Sequence, residues 1–223
     1  MSLAFISDIH SNLEALMAVL ADIKKRKIRK IYCCGDIVGY GASPNEVIEV
    51  FRKNKIVSVM GNHDLNAAIM IHPEWFNELA SDALMWTNAR LTSKNKFFLS
   101  TLPPLLETEL FIMVHGSPRE PVYEYVYPKS KLKPLLGLVE QPVLVMGHTH
   151  IPMVKRIGKK LIINPGSVGQ PRDRDRRASY CVLDAKTHKA KIVRVSYDID
   201  ASAKKIRKAN LPGFLAERLY RGV

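Results

Sequence analysis

The sequence predicts a single α/β domain, and three features of its patterning predict it. Short runs that are apolar at nearly every position, residues 3–6, 31–34 and 56–60, alternate with amphipathic stretches that carry helix-start signals. Two further apolar runs lie at 111–114 and 143–146. Beyond residue 160 the period changes to that of antiparallel strands joined by tight turns.

Taken in order, the run at 3–6 has no polar face, as suits a strand covered on both sides. The helix after it opens at Ser11, with Glu14 completing a capping box, and carries a stripe of Leu13, Leu16, Met17, Leu20 and Ile23. The strand at 31–34 holds Cys33 and Cys34, neighbours that an unstrained disulfide cannot join, and both read as small core residues. Ser43-Pro44-Asn45-Glu46 opens a second helix with a cap, proline at N1 and glutamate at N3. The strand at 56–60 completes a βαβαβ unit. Residues 72–98 are predicted mostly helical, with Trp75, Leu79 and Trp86 on related faces. Between the strands at 111–114 and 143–146, Tyr123, Tyr125 and Tyr127 have strand-like spacing within an irregular stretch, 117–133. The last third predicts antiparallel strands at 161–163, 180–183 and 192–197, with turns at Gly158 and around Lys186-Thr187-His188. A basic helix interrupted at Pro212-Gly213 follows. No repeat or linker divides the chain, so one domain over 1–223 is expected, with a C-terminal helical extension at about 200–223.

Composition narrows the class. Apolar residues are 47% and charged residues 25%, which excludes wholesale disorder, and three cysteines exclude a disulfide scaffold. The N-terminus has no basic leader and no apolar run nears the ~18 residues of a membrane span, so a cytoplasmic protein with no membrane role is expected. The net charge of +13 would attract polyanions. Its Lys and Arg are scattered over 24–30, 129–133, 155–160, 172–177 and 204–208, whereas a nucleic-acid binder concentrates them in one stripe.

The chemistry lies with the histidines. Five of the seven, His10, His63, His115, His148 and His150, follow apolar runs, each beside an acid, an amide or a glycine. His72 and His188 belong to no such group. In an open α/β sheet the strand ends gather along one crevice. Residues two apart on a strand point the same way, so Asp8 with His10, and His148 with His150, are expected to converge. Two carboxylates, an amide and four imidazoles suit first-row divalent metals, and their number suits two ions with a shared acid.

The ordered set D-x-H, G-D, G-N-H-D, H and G-H-x-H, running from Asp8 to His150, resembles the calcineurin-like metallophosphoesterase superfamily. The strings Cys34-Gly35-Asp36-Ile37-Val38-Gly39-Tyr40-Gly41 and Asn164-Pro165-Gly166-Ser167-Val168-Gly169-Gln170-Pro171-Arg172 resemble its small bacterial and archaeal branch, which includes phosphodiesterases and diadenosine-tetraphosphatase-like proteins. The resemblance implies a four-layer αββα sandwich of two mixed sheets. It implies two divalent ions, with manganese expected and iron, zinc, nickel or cobalt acceptable to the same ligands. Asp8, His10 and His150 would hold one, Asn62, His115 and His148 the other, with Asp36 bridging. It also implies hydrolysis by a hydroxide shared between the ions, His63 assisting the leaving oxygen and Asp64 fixing the tautomer of His63.

The substrate expected is a small phosphorylated molecule, nucleotides included: a diadenosine-polyphosphate-like compound or a cyclic or linear phosphodiester. Arg172 and Arg177 could grip phosphate through their guanidinium forks and Tyr40 could stack a base. Asn12 reads as a helix cap, and Asn164 and Ser167 as turn formers. Two alternatives stay open, a nuclease with the same metal chemistry and a scaffold that keeps the fold without catalysis, as the retromer subunit of the superfamily does. A homo-oligomer docked through the C-terminal helix is also left open.

Overall fold

The computed structural model describes residues 1–71 and 75–223. Strands β1 (Ser2–Ile6), β2 (Lys30–Cys33) and β3 (Val57–Ser58) run parallel and are linked by helices α1 (Leu13–Lys25) and α2 (Pro44–Asn54). Strands β9 (Ala178–Asp184) and β10 (Lys189–Val195) add antiparallel on the free side of β1, giving the order β10-β9-β1-β2-β3. The second sheet contains β4 (Leu105–Glu107), β5 (Phe111–Val114), β6 (Val143–Val145), β7 (Met153–Ile157) and β8 (Lys160–Asn164), in the order β4-β5-β6-β8-β7.

The period-two geometry of the strands explains why their sequences have no polar face. Leu3 and Phe5 of β1 point into an intersheet core with Phe111 and Met113 of β5, Val143 and Val145 of β6, and Cys181 and Leu183 of β9. Ala4 and Ile6 point the opposite way, toward Leu16, Val19 and Ile23 of α1. On the second sheet Ile112 and Val114 face outward, toward Leu135 and Leu136 of the short helix α6 (Lys133–Leu136). Both faces of the central strands are therefore dry. The result is a helix–sheet–sheet–helix sandwich, as expected, with a thin outer layer on the second side.

Helices α3 (Asn62–Ile69), α4 (Glu78–Arg90) and α5 (Ser93–Ser100) follow β3. The C-terminal helices α7 (Ile199–Lys208) and α8 (Gly213–Arg221), parted at Pro212 as expected, pack through Ala203, Ile206, Leu215 and Leu219 onto Ala80 and Ala83 of α4. All three cysteines are buried and free. Among the described residues no helix is long and apolar enough to cross a membrane.

Several local expectations need correction. The cap of α1 is Asn12, whose Oδ1 accepts from Ala15 N at 3.1 Å. Ser11 stands one residue earlier in left-handed backbone, φ 54°, because the preceding loop is still turning. Met17 is exposed, and Ala15 and Val19 take its place on the buried face of α1. Ser43 makes no capping bond, so only Pro44 and Glu46 carry that start signal. Tyr123, Tyr125 and Tyr127 form no strand and lie in an irregular loop. The strand at 161–163 is not antiparallel to 180–183. It is β8, parallel to β6 in the other sheet, and its hairpin partner across Gly158 is β7, whose sequence shows little apolar alternation. The start of the helical stretch at His72 lies outside the described residues.

Candidate metal centre

Three loops leave the C-terminal ends of β1, β2 and β8 and bond to one another as if the sheet continued. Asp8 N donates to Gly35 O, and Ile9 N and His10 N both donate to Asp36 O, at 3.1, 2.8 and 3.0 Å. On the other side Val168 N donates to Ser7 O and Gly169 N to Asp8 O. Ser167 Oγ donates to Asp8 O at 2.7 Å, and Asn164 Nδ2 to Gly147 O at 2.7 Å, so both side chains tie the loops together.

Strand pleating does not aim the functional side chains. β1 ends at Ile6 and β6 at Val145, so Asp8, His10, His148 and His150 all lie beyond the strands. These four and Asp36 adopt φ between 47° and 68°, left-handed backbone that costs a non-glycine residue roughly 1–2 kcal/mol. Strain of that kind gathers where packing forces side chains to a common point.

The side chains meet in two buried groups: Asp8, His10, Asp36 and His150, and Asp36, His115 and His148. Asp36 belongs to both. Its Oδ2 lies 3.5 Å from His10 Nε2 and 3.3 Å from His115 Nε2, while its Oδ1 accepts from His63 N at 2.9 Å. Asp8 Oδ1 lies 3.3 Å from His150 Nε2 and has no hydrogen-bond partner. Asn62 Oδ1 stands 3.1 Å from His115 Nε2.

Main-chain carbonyls orient the four rings of these two groups. They can only accept, so each ring nitrogen that meets one carries the proton. His10 Nδ1 faces Val38 O, His150 Nδ1 faces Gln170 O, His115 Nδ1 faces Cys34 O and His148 Nε2 faces Tyr123 O, at 3.0, 2.6, 2.7 and 3.1 Å. The remaining nitrogens of the neutral rings are lone pairs, and they face one another. His10 Nε2 and His150 Nε2 are 3.1 Å apart, and His115 Nε2 and His148 Nδ1 are 3.0 Å apart. Acceptors crowded in this way demand a cation between them. Bonds of about 2.0–2.2 Å to one first-row ion bring neighbouring donor atoms to about 3.0–3.5 Å of each other, the spacing found here.

The electrostatics agree. Burial holds His10 and His150 well below the ordinary imidazole range and pushes His148 down to about 2, keeping all three in the ligand form. Burial pushes Asp8 up to about 7, with His115 opposing and Asp36 reinforcing the rise. Burial also works against the charge of Asp36, yet His115, His63 and His10 hold its carboxyl well below the usual range. His115 is raised to about 9 against its burial by the charge of Asp36, the same charge that would favour a metal cation at that point.

His63 is buried between Tyr40, Phe76 and His10, with ring centroids 4.6, 4.9 and 4.9 Å away, and burial pushes it down to about 4. Its Nδ1 has no partner and lies against Gly39. Asp64 does not reach that ring. Its carboxylate accepts from Ile37 N, Val38 N and Gly61 N, because successive residues on a helix diverge and Asp64 of α3 faces the Asp36 loop instead. Arg172 N donates to His150 O, and the guanidinium stands 5.8 Å from the Tyr40 ring centroid. Arg177 is exposed and bonds Asp175.

A cleft of about 260 Å³ opens beside the cluster, lined by Tyr40, Asn62, His63, Phe76, Tyr125 and His148 among others. Tyr125 stacks on His148 with centroids 3.6 Å apart. Phe76 was not singled out in the sequence, where an aromatic near a helix reads as core, and nothing in the chain's periodicity marks it.

Residues 1–188 match the calcineurin-like phosphoesterase superfamily domain. An uncharacterised Methanocaldococcus jannaschii protein, MJ0912, is 43% identical across 99% of this chain and 98% of its own length. The crystal structure of a metallophosphoesterase from Sphaerobacter thermophilus is 36% identical, with a TM-score of 0.90 over 100% of this chain and 99% of that one. The phosphodiesterase YfcE of Escherichia coli is 27% identical over 82% of this chain and 88% of its own length.

Proposed function

The chain belongs to the calcineurin-like phosphoesterase superfamily and is a phosphoesterase with a dinuclear-type His/Asp metal site, and from that premise we propose that it is a phosphodiesterase or nucleotide pyrophosphatase acting on a small phosphorylated substrate. The observation that carries the reading is the single oxygen of Asp36 placed between two groups of inward-facing lone pairs. Asp8, His10 and His150 would hold one cation and Asn62, His115 and His148 the other. Held there, two divalent ions, manganese the expected pair, would supply Lewis acidity and would bring the deprotonation of water toward neutral pH.

The chain's own groups do the rest. The carbonyls of Val38, Gln170, Cys34 and Tyr123 lock the imidazole tautomers, so the ligand set needs no rearrangement when substrate arrives. His63 lines the cleft and offers a ring N–H to the departing oxygen. Asp64 holds the Asp36 loop against the start of α3, which is a positioning role. Tyr40 and Tyr125 provide aromatic faces for a base. The name of the E. coli relative supports the diesterase half of the reading, and the aromatic cleft supports a nucleotide.

A Cβ on Gly39 would stand 2.6 Å from His63 Nδ1, and Gly39 has φ +96°. Gly39→Ala is expected to displace the His63 ring and lower kcat/KM on the order of 10²-fold, the scale of a misplacement near 1 Å. Steady-state kinetics checks this, and wild-type activity in a folded Gly39→Ala protein contradicts it.

The reading is tested with chelated and manganese-reloaded protein on bis(p-nitrophenyl) phosphate, p-nitrophenyl phosphate, cyclic nucleotides and dinucleoside polyphosphates. Diesters or pyrophosphate linkages should be cleaved faster than the monoester, and only after reloading. A clear preference for the monoester overturns the proposal. Faster cleavage of single-stranded DNA or RNA, with binding that falls steeply with salt, replaces it with a nuclease.

A further inference from the structure

We propose that Arg172 and Arg218 form a second anion subsite beside the metal centre, so that the substrate carries a phosphoryl group besides the one cleaved, as in a nucleoside di- or polyphosphate linkage. The proposal rests on the phosphoesterase reading and narrows it to the pyrophosphatase half.

The two guanidinium groups come from distant parts of the chain to one aromatic ring. Arg172 Cζ lies 5.8 Å and Arg218 Cζ 5.9 Å from the centroid of Tyr40, whose ring is 4.7 Å from that of His10. Arg218 is carried there by α8, seated through Leu215, Ala216 and Leu219 in the cluster that contains Tyr40.

Among the described residues neither arginine pairs with an Asp or Glu side chain. Arg172 Nε and Nη2 donate to the neutral Oε1 of Gln170, at 3.3 and 2.8 Å, and Arg218 Nε donates at 2.6 Å to an oxygen of Val223, the last residue of the sequence. The acids that follow Arg172 in sequence are engaged elsewhere: Asp173 pairs with Arg194, and Asp175 with Arg177 and Arg194. Arg172 thus bonds only a neutral side chain while it stands near a second part-buried guanidinium, and burial followed by the charge of Arg172 pushes Arg218 down to about 10. Like charges held together away from water repel, and an anion between two guanidinium forks relieves that repulsion.

The order of the groups distinguishes this anion from the reacting one. Arg172 adjoins the metal centre, since its N–H donates to His150 O and its guanidinium stands over the Tyr40 ring that packs against His10. Arg218 stands at the same Tyr40 ring, brought there by α8. A phosphoryl facing the His/Asp groups and another gripped by both arginines are neighbours along one chain of phosphates.

The test compares α,β-methylene-ADP with AMP as ligands of the manganese-loaded full chain, by calorimetry. The diphosphonate analogue also chelates metal, so the readout is the change in preference between variants. Wild type should prefer the analogue, and Arg172→Gln and Arg218→Gln should each reduce that preference about tenfold or more, the scale of one charge-assisted bidentate contact. Arg218→Lys should restore only part, since an ammonium lacks the fork. A preference undiminished in Arg172→Gln, or in a folded Arg218→Gln, overturns the subsite. Should α8 fail to dock in the second variant, the first decides alone. Failure of the phosphoesterase reading shows itself separately, as reloaded wild type that hydrolyses no phosphoester.

Discussion

Asp36→Asn removes turnover by on the order of 10⁴-fold or more, the scale of losing a central catalytic group, while leaving the protein folded. The reason is the division of labour between the two oxygens. Oδ1 accepts the His63 N–H that begins α3, and Oδ2 faces His10 Nε2 and His115 Nε2. Asparagine keeps the first bond by placing its oxygen there. Its NH2 then faces the imidazole lone pairs and donates to them, which satisfies the site without a cation. A second readout needs no substrate. Adding manganese to chelated wild type at about 100 times its dissociation constant stabilises by about 2.7 kcal/mol, or about 5–10 °C in Tm for a domain of this size. The variant should lose most of that rise. Wild-type turnover by the variant, or an undiminished rise in Tm, contradicts the bridging role.

His63→Ala lowers kcat/KM by about 10²–10³-fold for a substrate with an alkoxide leaving group, and by much less for a nitrophenolate that departs unaided. His63 is not among the grouped ligand atoms, so metal uptake should survive its removal. Its ring is fixed by packing between Tyr40 and Phe76 rather than by a carboxylate. Asp64→Asn is accordingly expected to act through the loop it braces, lowering Tm, and not through the leaving-group dependence. Equal losses for good and poor leaving groups in His63→Ala would place the residue in some other role.

The legibility of this chain follows from the range of each interaction. Helix stripes, apolar strands and the Pro44 start are local, and the corresponding elements stand where the patterning puts them. Errors arose where a distant segment set the outcome. Ser11 lost the cap of α1 because the Asp8 loop is bonded to the Asp36 loop and turns left-handed. The strand at 161–163 joined the second sheet because β6 lies there to pair with it. Tyr123, Tyr125 and Tyr127 have strand spacing but no partner strand, and Tyr125 packs on His148 instead.

The sequence by itself determined the chemical inventory: which acids, imidazoles and amides occur, their order, and the fact that each follows an apolar strand. Only the tertiary structure decided how they meet. His10 and His150 are separated by 140 residues, and no periodicity encodes the 3.1 Å between their lone pairs. That distance comes from two sheets packed through one core, with three loops bonded past their ends, and from carbonyls that turn each ring. Arg218 joins the site for the same reason, since a helix face records what it buries and not what its one charged edge will stand beside.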